Sequence, residues 1–181
     1  MIVKRRVATD TNVIRKGDRI KFKLRGSKYT ATAVKVDEAG ALFVFDQFLD
    51  EARLMNKNGS AKGGYEESDM RKYLQELAEE FPDELDDRML PFENGDRLRL
   101  LTLPEVCGYD DNFDKCDGQI PYFKDRRHRI AERKGESYEW MWTSTVVSAA
   151  DFACVGTYGN ADHYGAGYAL GVRPAFLISN L

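Results

Sequence analysis

The sequence predicts an α+β fold, and three stretches carry that prediction. The first is "DRIKFKLRG", where Ile20, Phe22 and Leu24 alternate with Arg19, Lys21, Lys23 and Arg25. This is the period of a strand with one buried face. The second is "YTATAVKVDEAGALFVFDQF", two β-rich runs broken at Glu38-Ala39-Gly40. Glycine at the break marks a hairpin. The unbroken apolar run Phe43-Val44-Phe45 places the second of these strands in the middle of a sheet. The third is "DMRKYLQELAEEFP". Its Met70, Tyr73, Leu74, Leu77 and Phe81 fall on one helical face, opposite Arg71, Lys72, Glu76, Glu79 and Glu80. Ser68 or Asp69 caps this helix, expected over about 69–81, and Pro82 stops it.

The remaining segments follow the same logic. Residues 54–68 hold three glycines among polar residues and read as a loop. "DELDDRMLPFENGD" is acidic and reads as a loop or a short helical turn. "RLRLLTLPEV" reads as a strand followed by a short helix opening at Pro104. Residues 108–137 are polar and aperiodic, with a short basic helix expected in "KDRRHRIAERKG". "YEWMWTSTVV" and "DFACVGTYG" return to strand composition, and "GYALGVRPAFLI" closes the chain as a strand with Pro174 early in it.

A length of 181 residues favours one domain with a core that needs no staples. With 43% hydrophobic residues the chain carries enough apolar surface to fold, and a net charge of −3 gives no whole-protein attraction to nucleic acid or membranes. No apolar run reaches the length of a membrane span. "MIVKRRVATD" lacks the apolar region of a secretion signal, so a cytoplasmic or phage-particle location is expected. Cys107, Cys116 and Cys154 form no C-x-x-C pair and read as free thiols. The sequence specifies no oligomeric state.

One stretch, "GTYGNADHYGAGYALGVRP" from Gly156 to Pro174, is written in a restricted alphabet of glycine, tyrosine and small polar residues. Tyrosine supplies contact area at low entropy cost while glycine and asparagine adapt, as in antibody binding loops. Tyr158, Asn160, Asp162, His163, Tyr164 and Tyr168 are therefore the candidate ligand contacts. Trp140 and Trp142 share one face of a strand and serve as core or as a platform, and Trp142 joins the candidate set. The composition suits a protein or glycan surface better than a deep pocket.

The order "KGDRIKF", "SDMRKYL", "LRLLTLPEV", "WMWTST" and the ending "GVRPAFLI" resembles a family of bacterial and phage proteins, of no assigned function, whose members end in G-V-R-P-A. The resemblance spans about residues 13–178. That family is similar to the C-type-lectin-like fold in its formylglycine-generating-enzyme variant. The resemblance implies paired first and last strands, helices packed on the sheet, and a long irregular region displaying the ligand surface, here about 143–172. Variable proteins of diversity-generating retroelements share the fold. In these, adenines are mutated mainly in codons ending in C, which cannot encode Lys, Glu, Gln, Met or Trp. From Thr143 to Ser179 the chain contains none of the five, directly after Met141-Trp142.

The expectation is a non-catalytic receptor domain, with no cofactor, that binds a protein or glycan through this region. The alternatives are an enzyme related to the formylglycine-generating oxidases, or an accessory structural domain of a phage or cell-surface assembly. The copper-binding cysteine pair of those oxidases cannot be carried onto Cys107, Cys116 or Cys154, and a Cys154–His163 nucleophile needs a spatial contact. Asp110, Asn112, Asp114 and Asp117 resemble a calcium loop only loosely. This acidic loop lacks the glycine and late glutamate of a calcium loop, and the sugar-binding lectin motifs are absent. The basic run Lys124, Arg126, Arg127, His128, Arg129, Arg133 and Lys134 lacks interleaved aromatics and is expected to balance the acidic stretch between Glu76 and Asp96 rather than to bind nucleic acid. Arg173 is expected to pair with a carboxylate or to cap carbonyls.

Overall fold

The computed structural model describes residues 13–136 and 138–180, so the basic opening segment read for a signal lies outside the described residues. The architecture is α+β. Strands β1 (Arg19–Leu24), β2 (Ser27–Val36) and β3 (Gly40–Phe45) form the expected meander, with Ile20 opposite Ala31 and Val44 opposite Thr32. The turn between β2 and β3 is held by the Asp37 carboxylate, which accepts from the Ala39 and Gly40 N–H groups at 3.0 and 3.1 Å. The helix α1 (Asp69–Ala78) is capped by Ser68, whose hydroxyl accepts from Arg71 N–H at 3.0 Å. It ends a turn earlier than expected, although Phe81 beyond it is still buried. A four-residue helix, α2 (Asp83–Asp86), and a two-residue strand, β4 (Met89–Leu90), follow. The helix α3 (Leu103–Cys107) opens on a capping box between Thr102 and Glu105. Strands β5 (Met141–Val146), β6 (Asp151–Val155), β7 (Ala161–Gly165) and β8 (Ala175–Ser179) complete the chain.

Two antiparallel sheets result, ordered β1-β2-β3-β8-β4 and β5-β6-β7. The expectation that the first and last strands pair is not met among the described residues. β1 pairs with β2 alone, while β8 runs between β3 and β4, with Phe43 opposite Phe176 and Met89 opposite Ile178. The wholly buried run of β3 explains this: a strand apolar on both faces needs neighbours on both edges, and β8 supplies the second.

Each face of the larger sheet has its own core. On one side Phe22, Phe45, Phe81 and Phe176 form an aromatic cluster with centroids 5.3–6.3 Å apart, covered by Met70, Leu74 and Leu77 of α1. On the other, Val34, Leu42, Val44 and Ala175 meet Leu103 and Val106 of α3 and Ile120 and Phe123 from the irregular region. That region contains 3-10 turns at Pro121–Lys124 and Arg126–Arg129 in place of the expected basic helix.

Residues 97–102 also depart from the reading as a strand. Leu98 and Leu100 are buried as their alternation requires, but only Arg99 bridges to another strand, at Ala175. The side chain of Gln75 takes the place of a neighbouring strand. Its Nε2 donates to Leu98 C=O at 2.7 Å and its Oε1 accepts from Arg97 N–H at 2.9 Å. The closing strand starts at Ala175 rather than including Pro174, whose carbonyl accepts from Phe45 N–H at 3.0 Å.

Candidate functional site

The first half of the restricted stretch supplies the tip and the second strand of a β-hairpin whose first strand is β6. β6 and β7 pair in regular register, Cys154 opposite Asp162 and Phe152 opposite Tyr164. At the tip, Gly156 N–H bonds Asn160 C=O and Gly159 N–H bonds Gly156 C=O, both at 2.9 Å. Gly159 has a φ of 74°, and a Cβ there would lie 2.8 Å from the Arg126 carbonyl oxygen. The tip is therefore seated directly on the 3-10 turn at Arg126–Arg129, a seat that only glycine allows. Arg129 secures it by donating from Nη1 to Gly159 C=O at 3.0 Å and from Nε to Phe123 C=O at 2.7 Å.

Strand alternation divides the candidate contacts between two faces. On one face the Tyr164 ring stands edge-on between Trp140 and Tyr168, at centroid distances of 5.4 and 4.9 Å. Tyr164 is 38% exposed, Tyr168 61%, and Tyr158 at the tip 83%. On the opposite face the His163 Nδ1 lies 3.0 Å from the Asp151 carboxylate, and Phe113 approaches its ring at 6.0 Å. Asn160 is half-buried, its amide folded over Gly156, and the Asp162 carboxylate accepts from His163 N–H at 2.8 Å.

Trp142 corrects the candidate set. It is buried in the core, its indole N–H donating to Arg53 C=O at 2.8 Å, and it has no surface to offer a ligand. Trp140, two residues earlier and half-buried, is the tryptophan beside the tyrosines. The alternation put both on one face but did not show how far the core extends along the strand.

Other chemistry-bearing residues take structural places. Cys154 and Ala153 are neighbours on β6, so His163, opposite Ala153, faces away from Cys154, and no Cys–His pair is assembled. Burial pushes the Cys154 thiol up to about 12, reinforced by Asp162. The Asp110 carboxylate accepts from Asn112 and Asp114 N–H, both at 2.9 Å, and so closes its own turn. Arg173 makes no ion pair among the described residues. Its buried guanidinium donates to Phe45 C=O at 2.6 Å and His128 C=O at 2.8 Å, so the capping expectation holds and the carboxylate one does not. The basic run does not balance the Glu76–Asp96 stretch either. Arg127 pairs with Asp125 and Arg133 with Glu136 and Glu139, while Glu80, Asp86 and Asp96 pair with Arg25, Arg97 and Arg71.

A cavity of about 630 Å³ lies away from the hairpin over the larger sheet. Arg99 and Glu105 form a doubly hydrogen-bonded pair in its wall, both contacts 2.8 Å, with the Phe92 ring 4.4 Å from the guanidinium. Burial pushes the Glu105 carboxyl up, but Arg99 and the Thr102 cap outweigh it and hold it below the usual range. These residues are spent on one another, and no local pattern marks the cavity because its walls come from segments scattered between Lys35 and Leu177.

Residues 95–180, from just before α3 through β8 and including the hairpin, are similar to a family described as a domain of unknown function, DUF6273. No curated protein and no solved structure matches the chain.

Proposed function

We propose that the protein is a non-catalytic receptor domain that binds a protein or glycan through the β6–β7 hairpin and the turn after it. One observation carries this reading. Five large apolar side chains are exposed among the described residues, and three of them, Tyr158, Tyr164 and Tyr168, fall within this short segment. Exposed aromatics seated on a rigid strand pair give contact area without ordering cost. Two features make the hairpin rigid: β7 is paired along its whole length to β6, and the tip is clamped by Arg129. On this reading the fold is C-type-lectin-like, with the smaller sheet as the display element, and the domain is a retroelement-diversified receptor. The restricted alphabet from Thr143 to Ser179 supports that finer form.

The test compares the wild-type protein with Tyr164→Ala/Tyr168→Ala on a glycan array and on intact bacterial cells. The expected result is a bound glycan or cell surface whose retention falls by about tenfold or more in the double variant. Binding that survives both substitutions, or no binding to either target, defeats the reading.

A further inference from the structure

A second feature lies on the flank of the same hairpin. A pocket of about 470 Å³ opens between the hairpin tip, the end of α3 and the 3-10 turn, lined by Cys107, Tyr109, Phe113, Arg126, Arg129 and Asn160. Its lining contains two guanidinium groups and no carboxylate. Among the described residues neither Arg126 nor Arg129 forms an ion pair, although nearly every other arginine near the surface has one. Arg126 is exposed and Arg129 is half-buried and anchored through two carbonyls. Both are close enough to Cys107 to act on its thiol: burial pushes the thiol up and the two guanidinium charges pull against that.

Two uncompensated like charges converging on one concavity repel each other, and an anion between them relieves the repulsion. A guanidinium presents a planar fork of donors that matches the two oxygens of a carboxylate or sulfate. The Tyr109 and Phe113 rings beside the charges provide a flat apolar surface, and the Asn160 amide both donates and accepts. Charge, ring surface and amide together describe a site for an acidic sugar better than one for a bare ion or an aspartate-rich peptide.

We infer that this pocket is the subsite for the carboxylate or sulfate of an acidic sugar, with Arg126 and Arg129 as its anion-binding residues. The inference rests on the hairpin reading for the surface it belongs to, but uses a separate set of side chains. It assigns an acidic-sugar subsite to the His163 and Phe113 face of the hairpin, opposite the face of Tyr164.

The experiment is titration of the isotopically labelled full chain with glucuronate, glucose 6-sulfate, neutral glucose and a hexa-aspartate peptide, followed by NMR. Glucuronate or the sulfate is expected to shift the signals of Arg126, Arg129 and Asn160, while glucose does not. Arg126→Ala is expected to weaken the acidic sugar by about tenfold or more, the loss of one charge-assisted hydrogen bond. Arg127→Ala is the control, because that exposed guanidinium is already paired with Asp125 at 2.6 Å. Equal response to glucose, binding of the peptide alone, no response to any probe, or an Arg126→Ala variant indistinguishable from Arg127→Ala each overturns the inference. The two readings are separated by their readouts: the pocket by the glucuronate shifts and Arg126→Ala, the tyrosine surface by retention of Tyr164→Ala/Tyr168→Ala on the array. Tyrosine-dependent binding on the array with no acidic-sugar response therefore removes the pocket and keeps the hairpin, and the reverse pattern does the opposite.

Discussion

Replacing Gly159 by alanine tests how the hairpin tip is held. Two costs arise. An L-residue at a φ of 74° carries left-handed strain of about 1–2 kcal/mol. The new methyl would also lie 2.8 Å from the Arg126 carbonyl oxygen, a backbone atom that cannot rotate away. The tip must retreat, and the 3.0 Å bond from Arg129 Nη1 to Gly159 C=O goes with it. Losing a hydrogen bond to a charged group costs about 1.5–3 kcal/mol, so the sum is about 2.5–5 kcal/mol. Gly135 provides the control, since it has nearly the same φ, 79°, and nothing within 4 Å of an added Cβ. Gly135→Ala should cost the strain alone. Urea unfolding of the two variants, followed by far-ultraviolet circular dichroism, is expected to separate them by about 2 kcal/mol with equal m-values. Equal destabilisation would show that the tip is not seated on the 3-10 turn, and the pocket beside it would lose one wall.

Three further outcomes are expected. Arg173→Ala should cost about 2–4 kcal/mol by urea unfolding, because it leaves the buried carbonyls of Phe45 and His128, bonded at 2.6 and 2.8 Å, without a donor. Ser68→Ala should cost about 1–2 kcal/mol in the same assay, since that hydroxyl both accepts from Arg71 N–H at 3.0 Å and donates to Tyr65 C=O at 2.7 Å. Stability should fall as pH rises above 9. Cys154 is held neutral to about 12 in the fold but ionises near its ordinary value of 9.0 once unfolded, so the unfolded state loses its proton first. Between those limits the slope from this thiol is at most about 1.4 kcal/mol per pH unit, and Cys154→Ala should flatten it relative to wild type.

What was legible in the sequence and what was not divides by the range of the forces involved. β1, the β2–β3 hairpin and α1 could be read because each declares itself by local periodicity, and the Ser68 cap because it is a short-range hydrogen bond. β7 could not. "ADHYG" has neither alternation nor β-branched residues, and it is extended because β6 offers it a complete backbone ladder. The segment from Arg97 to Thr102 misled in the opposite direction. Its alternation is real and its leucines are buried, but a glutamine side chain on α1 satisfies the backbone that a strand would have paired. In the candidate site the tyrosines were visible by type, whereas the choice between Trp140 and Trp142 depended on where the core ends, and the convergence of Arg126 and Arg129 on the tip depended on a contact between residues thirty positions apart.

The restricted alphabet has different causes at different positions. Much of the run from Thr143 to Ser179 is core: Phe152, Ala153, Cys154, Val155, Val172, Ala175, Phe176 and Ile178 are buried, and burial alone keeps lysine and glutamate out of such places. At the tip Gly159 is fixed by its seat on Arg126, and Gly156 lies under the Asn160 amide. Neither reason reaches the exposed positions Ser148, Ala149, Ala150, Tyr158, His163, Tyr164, Gly167, Tyr168 and Ala169. Elsewhere in the chain exposed positions are commonly filled by lysine and glutamate, as at Lys21, Lys23, Glu38, Glu66 and Glu67. Packing accounts for Gly167, where a Cβ would lie 3.3 Å from Gly59 Cα, and the Ser148 hydroxyl accepts from Ala150 and Asp151 N–H, so the unexplained absence is at the other positions, Tyr158, Tyr164 and Tyr168 among them. If the codons there were set by adenine-directed mutation, they should end in C, enriched for those with adenine in the first or second place. An ordinary mixture of third bases at these positions, with no template repeat nearby, would end the case for diversification and leave a fixed binding surface.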